Sequence, residues 1–145
     1  IEGINSRLDG LQAAILRVKL PHLPAWTAAR KRAAAVYDEL FAPLADVEVP
    51  YVAPDREHVF HLYMIKIDNR DAIRQHLTER GVASVVNYSR ALPFYRAYEH
   101  LGHGPSDFPL AYAKQHRILS IPIFPEITRH QQEYVAASIQ EGLAK

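Results

Sequence analysis

The stretch His58-Val-Phe-His-Leu-Tyr-Met-Ile-Lys-Ile67 decides the fold. Val59, His61, Tyr63, Ile65 and Ile67 alternate with Phe60, Leu62 and Met64. Both sets are mainly apolar, which predicts a strand over 58–67 covered on both faces. Beyond it, Asn69 is placed to cap a helix that turns Ile73 and Leu77 inward, and Gly81 to end that helix in a left-handed conformation. Val82 to Tyr88 then reads as a second strand, supplied with β-branched Val82, Val85 and Val86. The stretch from Arg90 to Pro109 is irregular; it holds Phe94, Tyr95, Tyr98, Phe108 and the loop Gly102-His103-Gly104-Pro105. A short helix to about Arg117 and an extended piece over Ile118–Ile123 follow. Thr128 and Gln131 form a Thr-x-x-Gln capping box, opening a last helix with Val135, Ile139 and Leu143 at four-residue spacing.

On the N-terminal side, residues 43–57 form a connector marked by Pro43, Pro50 and Pro54. Before it the sequence predicts two helices, about 5–20 and 24–42, set end to end with a kink or joined by a tight bend. Leu8, Leu11, Ile15 and Val18 give the first an apolar stripe. Trp26, Ala29, Ala33, Tyr37, Leu40 and Phe41 give the second its own. Pro21 and Pro24 separate the two, because proline lacks the N–H a helix interior needs. The order helix, strand, helix, strand, helix, short strand, helix describes one mixed α/β (α+β) domain.

The composition suits such a domain. The 145 residues are 48% hydrophobic and 23% charged, near the averages for globular proteins. Seventeen Lys and Arg against 16 Asp and Glu leave a formal charge of +1, which gives no general pull toward nucleic acid or anionic membrane. Cysteine is absent, excluding a disulfide scaffold, a thiolate zinc site and a cysteine nucleophile; this fits a reducing compartment and a cytoplasmic location. No apolar run approaches the roughly 18 residues needed to span a bilayer. The chain opens on Ile1 and its one Met is Met64, so it reads as a piece of something longer.

The eight histidines do not make a metal site by spacing: His58 and His61, three apart on a strand, point to opposite faces, and His100 and His103 lack a third ligand. Arg30-Lys31-Arg32 reads as the solvated face of a helix. The sequence holds no G-x-S-x-G, P-loop or G-x-G-x-x-G motif, and no self-contained catalytic set.

Residues 3–16, Gly-Ile-Asn-Ser-Arg-Leu-Asp-Gly-Leu-Gln-Ala-Ala-Ile-Leu, admit two readings. One is a helix start, with Asn5 as cap and Asp9 near the positive end. The other is an anion receptor, in which the Asn5 amide, the Arg7 guanidinium and free N–H groups meet a phosphate or carboxylate. The two roles can coexist.

This string resembles the G-x-N-x-R-[LM]-x-x-[LI]-Q-A-A motif of the DegT/DnrJ/StrS-type sugar aminotransferases, pyridoxal-phosphate (PLP) enzymes of the aspartate-aminotransferase fold. Lys19-Leu20 through Trp26 and Arg30, the segment His58–Tyr63, Gly81-Val82 with Asn87-Tyr88, Phe108-Pro109 and Leu119–Pro125 resemble further motifs of that family in the same order. Three positions depart from its usual pattern: Asn87 stands where His is common, Ser89 where Pro is, and Tyr112 where an acidic residue is. The resemblance implies that residues 1–145 are the small C-terminal domain of a fold-type I enzyme with leading interdomain helices (about 5–42), the large PLP-binding domain and its Schiff-base lysine being absent. It further implies a homodimer in which Asn5 and Arg7 meet the cofactor phosphate, Asn87 and Tyr88 face the substrate, and amino groups pass from an amino acid to a keto-sugar nucleotide. For Asn87 and Tyr88 a strand end packed against a loop is the alternative. A PLP-dependent sugar dehydratase of the same fold and a non-catalytic regulatory module are the alternative functions.

Overall fold

The computed structural model describes residues 8–145. Asp9 caps the first helix, α1 (Gly10–Lys19), its carboxylate accepting from the Gln12 N–H at 2.8 Å. The observed cap is therefore Asp9, and Asn5 and Arg7 lie outside the described residues. Pro21 forces a tight 3₁₀ turn over Leu20–His22, and α2 (Leu23–Phe41) follows at once. Lys19, Leu20, His22 and Leu23 all keep right-handed helical dihedrals, so the two helices run end to end. Neither needs a loop.

A three-stranded antiparallel sheet follows, in the order β1 (Val47–Glu48), β2 (Tyr63–Ile67), β3 (Ile118–Ile121). Ile65 pairs with Leu119 and Ile67 with Val47. The short β1 arises in what the sequence presented as connector, and the Lys66 ammonium ties it to β2 through Glu48. That hydrogen bond holds the Glu48 carboxyl below its usual range. Helix α3 (Arg70–Glu79) connects β2 to the segment beside β3, and α4 (Pro109–Lys114) precedes β3. Asn69 stands at the head of α3 in a left-handed conformation without a side-chain capping bond, whereas Gly81 (φ +71°) closes the helix as expected. The capping box of Thr128 and Gln131 opens α5 (Arg129–Leu143).

Two strand expectations are corrected. Residues 58–62 are not strand, because Phe60 adopts φ +47° and breaks the alternation. Arg30 explains how that turn holds: its Nη1 donates to the carbonyls of Phe60 (3.4 Å), His61 (3.3 Å) and Ile123 (2.8 Å). Arg30 is thus a half-buried clamp and not part of a solvated face, while Lys31 pairs with Glu57 and Arg32 is exposed. Within β2 only one face is fully covered: Tyr63, Ile65 and Ile67 are buried, Met64 and Lys66 partly so. The second expected strand, Val82–Tyr88, reduces to a single antiparallel pairing of Val85 with Ser120.

The core lies between the covered sheet face and α2, α3 and α5. Ala33, Ala34, Tyr37 and Phe41 of α2 are buried, with Ile73 and Leu77 of α3 and Val135, Ala136 and Ile139 of α5. Gly142 lets α5 approach α3, since a Cβ there would stand 3.0 Å from the Ile73 side chain. The Tyr37 ring centre is 5.6 Å from that of Phe41 and 5.0 Å from that of Tyr63. Burial of each such side chain contributes on the order of 1.5–3 kcal/mol. The hydroxyls are satisfied as well: Tyr37 donates to the Pro122 carbonyl at 2.8 Å and Tyr63 to Asp38 Oδ1 at 2.5 Å. By contrast α1 buries no residue, and Leu11 (74%) and Val18 (73%) face outward.

Burial raises both phenols well above the ordinary tyrosine range, with the Asp38 hydrogen bond adding to the shift of Tyr63. The unfolded chain therefore loses these protons first, so their contribution is whole below about pH 10 and is lost as pH rises through the folded values. Denaturant midpoints should fall above pH 10, and a Tyr37→Phe, Tyr63→Phe double variant should lose less between pH 9 and 11 than the parent. At neutral pH, Tyr37→Phe leaves the Pro122 carbonyl unpaired and should cost about 1–3 kcal/mol.

Candidate functional site

Strand β3 positions the candidate site. One of its edges pairs with β2; the other meets Val85, whose N–H donates to the Ser120 carbonyl (3.0 Å) while the Ser120 N–H donates back (2.8 Å). Just before this pairing, the Val82 N–H donates to the Leu77 carbonyl at 2.8 Å, fixing the exit from α3. Asn87 and Tyr88 follow immediately. Asn87 is half-buried, with its Oδ1 enclosed and without a hydrogen-bond partner. Ser84 Oγ and Ser120 Oγ are orphaned in the same way. A buried acceptor without a partner costs about 1–3 kcal/mol, so the Asn87 oxygen is suited to a donor brought by a ligand or water. Tyr88 is 69% exposed.

The next twenty residues are irregular backbone held from behind. Gln115, buried at the end of α4, accepts the Ala91 N–H on its Oε1 at 2.8 Å. Its own carbonyl accepts from Arg70 Nη1 (3.4 Å), which also donates to the Ile118 carbonyl (3.1 Å). Tyr112, where the resembled family usually has an acid, sets its ring edge-on to Phe94 (5.5 Å) and to His116 (5.5 Å). The departure therefore has a packing role. Two 3₁₀ turns, Leu92–Phe94 and Arg96–Leu101, carry the chain past this support. Arg90 Nη1 donates to the Phe94 carbonyl at 3.3 Å. Between these turns and His103 lies an open cavity of about 540 Å³, lined by Arg90, Phe94, Tyr95, Arg96, Glu99 and His103, with Pro93.

Sequence reasoning missed this cavity. Its signal was present as arginines spaced among aromatic residues between 90 and 98, but no regular period connects them. Conversely, His58 and His61 are not on opposite strand faces. The strand begins only at Tyr63, and both line one groove with Tyr51, Leu62 and Met64. His58 Nδ1 there accepts the Phe60 N–H at 3.0 Å. Among the described residues no three His, Cys, Asp or Glu side chains converge as metal ligands. No described helix is long and apolar enough to cross a membrane.

None of the five lysines is buried. Lys19 lies over the Trp26 ring, Lys31 and Lys66 pair with Glu57 and Glu48, Lys145 approaches His76, and Lys114 is exposed on α4. The described residues offer the enclosed Asn87 acceptor and, separately, the cavity lined by Arg90, Phe94 and Arg96.

Comparison with known proteins agrees with this architecture. The DegT/DnrJ/EryC1/StrS aminotransferase family matches residues 1–140. A pleiotropic regulatory protein of Geobacillus stearothermophilus is 40% identical over 96% of the chain, and 38% of that protein is covered. The dTDP-3-amino-3,4,6-trideoxy-alpha-D-glucose transaminase of Streptomyces venezuelae is 35% identical over 97% of the chain and 37% of its own length. The crystal structure of S. venezuelae DesV in complex with a ketimine intermediate superposes with a TM-score of 0.88 at 35% identity, covering 97% of this chain and 38% of that one. The chain thus spans less than two-fifths of the length of these relatives.

Replacing Gln115 by Ala removes the acceptor for Ala91 and should free the 89–95 segment. Amide exchange at Ala91 should accelerate and stability fall by about 1 kcal/mol, while exchange in the β2–β3 ladder follows only that global loss. Unchanged exchange at Ala91 would remove Gln115 from its bracing role.

Proposed function

The chain belongs to the DegT/DnrJ/EryC1/StrS aminotransferase family, and on that premise we propose that it is the C-terminal portion of a PLP-dependent aminotransferase acting on a keto-sugar nucleotide. In this reading residues 1–145 form the small domain, led by the helices that end at Phe41, and the Schiff-base lysine belongs to a larger domain. The supporting observation is the fold match at a TM-score of 0.88 to an enzyme holding a ketimine intermediate, together with a relative that is a sugar-nucleotide transaminase. Bound PLP supplies an electron sink for amino transfer.

This chain's own residues have narrower tasks. Asn5 and Arg7 meet the cofactor phosphate across a homodimer interface, an amide and a guanidinium fork suiting an anion. The Asn87 amide accepts from a sugar hydroxyl, which satisfies the enclosed Oδ1. Tyr88 borders the same place, its exposed ring excluding water when substrate enters. The amino donor is an amino acid, and the enzyme works in the cytoplasm.

One observation favours a second reading. The 40% identical relative is called a pleiotropic regulatory protein, which would make the fold a non-catalytic regulatory module. The two part on a chromophore: an aminotransferase of the relatives' length carrying this chain should absorb in the visible range, and glutamate should shift the band. A protein of that length without the band would favour regulation. The 145-residue chain alone should show no transaminase activity, and measurable turnover would overturn its assignment as a partial site.

The roles of Asn5 and Asp9 are separable. Asp9→Ala removes the observed cap of α1 and should lower stability by about 1 kcal/mol, with little change in cofactor affinity. Asn5→Ala in the longer enzyme should instead weaken PLP retention by about one to two orders of magnitude, and Arg7→Lys should weaken it too. Unchanged PLP affinity of the Asn5→Ala enzyme, titrated after stripping, would remove Asn5 from the phosphate site.

A further inference from the structure

We propose that the cavity where the segment leading to Val85 parts from the chain beyond β3 binds an uncharged planar heterocycle with an N–H beside a carbonyl, the pattern of a free nucleobase or a related lactam. The site stands apart from the aminotransferase reading. It begins with a ladder that stops early. Val85 and Ser120 exchange both of their backbone hydrogen bonds, at 3.0 and 2.8 Å. In an antiparallel ladder such exchanging pairs recur every two residues, which sets Ala83 opposite Pro122. Proline has no N–H to give, and the Pro122 carbonyl is already spent on the Tyr37 hydroxyl at 2.8 Å. Among the described residues the Ala83 N–H and carbonyl accordingly find no backbone partner.

A cavity of about 320 Å³ lies in this fork, bordered by Gly81, Ala83 and Pro122 on its two sides and by the start of α5. Ala83 thus sets a donor and an acceptor side by side at its edge. A ligand that satisfies both must offer the converse pair, an acceptor next to an N–H.

The other walls are aromatic and apolar. Phe124 and Tyr134 border the cavity with ring surface left open, 38% and 43% exposed, and the buried Val82 and Val135 border it as well. The Tyr134 ring is fixed twice: its hydroxyl donates to the Arg80 carbonyl at 2.9 Å, and the Arg80 guanidinium lies 5.4 Å from the ring centre. Fixed aromatic surface beside a donor–acceptor pair suits the stacking of a planar ring.

Charge narrows the class further. None of the described lining residues is Asp, Glu, Lys or Arg, and His130 supplies the one imidazole. The guanidinium stacked on Tyr134 is itself paired with Glu141 at 3.4 Å. A phosphate group finds no cation built for it here, so the occupant is the free heterocycle and not a nucleotide. Size agrees: about 320 Å³ falls at the small end of ligand sites. The cavity shares no lining residue with the one between Arg90 and His103.

The test is a titration of the 145-residue chain with isoquinolinone, a neutral bicyclic lactam, and with N-methylisoquinolinone, which keeps the ring and the carbonyl but loses the N–H. The backbone amides of Gly81, Val82 and Gln131 report binding. Isoquinolinone should shift them saturably, and the N-methyl derivative should bind at least tenfold more weakly, because a site that hydrogen-bonds an N–H rejects the analogue without it. Ala83→Pro removes an N–H that the fold does not use and should weaken isoquinolinone at least tenfold, and Phe124→Ala, which takes away a stacking wall, at least threefold. Uracil should bind at least as tightly as UMP. The proposal is overturned if isoquinolinone leaves these amides unmoved, if the N-methyl derivative binds as tightly as the lactam, or if UMP binds tenfold more tightly than uracil. A folded Ala83→Pro chain with unchanged affinity overturns it too, and should that variant not fold, the comparison of the two lactams on the parent chain decides.

Discussion

The contact between Tyr37 of α2 and Tyr63 of β2 is the constraint on which the rest of the structure depends. Both side chains are wholly buried with their rings 5.0 Å apart, and each hydroxyl is spent on a different element. Tyr37 reaches the Pro122 carbonyl just beyond β3, whereas Tyr63 reaches back to Asp38 on α2. One aromatic pair thus locks a helix, a central strand and the exit of a third strand together. Gln132 of α5 joins the same assembly by donating to the Ala33 carbonyl at 2.7 Å. Moving either ring would leave a buried carbonyl or hydroxyl unpaired, and the low dielectric of the interior makes that costly.

Once β3 is placed, the candidate site follows from its two edges. The inner edge completes the sheet, and the outer edge catches Val85 through two hydrogen bonds. That short pairing delivers Asn87 and Tyr88 to the margin of the domain, and the tether from Gln115 to Ala91 carries the order on into the irregular stretch. Site residues here sit on loops, but each loop is anchored to regular structure within a few positions. This is the usual division of labour between scaffold and binding loops.

Helix α1 belongs to a different logic. Its apolar stripe is exposed, while its cap and basic last turn are those of an ordinary stable helix. An apolar face of this kind marks a surface for association. It sits at the end of the chain that carries Asn5 and Arg7, so in the proposed enzyme the helix that covers apolar surface also brings the phosphate-binding residues to their target.

What the sequence determined by itself was local and periodic. Helical spacing identified α2, α3 and α5 with their inward faces, Gly81 marked an end through its tolerance of positive φ, and the capping box marked the start of α5. Each depends on residues within four positions of one another. The order of short motifs also identified the family, because that signal is linear. Tertiary structure decided the remainder. Residues 58–62 were apolar enough for a strand, yet Arg30, some thirty positions away, stabilises a left-handed turn at Phe60. Val82–Tyr88 had strand composition but pairs with β3 at one position alone, Val85 with Ser120, while β3 pairs with β2 along its whole length. Val47 and Glu48 had no strand signal and pair because β2 presents a free edge to them. The enclosure of the Asn87 oxygen and the gathering of Arg90, Arg96 and His103 about one cavity arise likewise from contacts across the fold, which no local pattern of residues encodes.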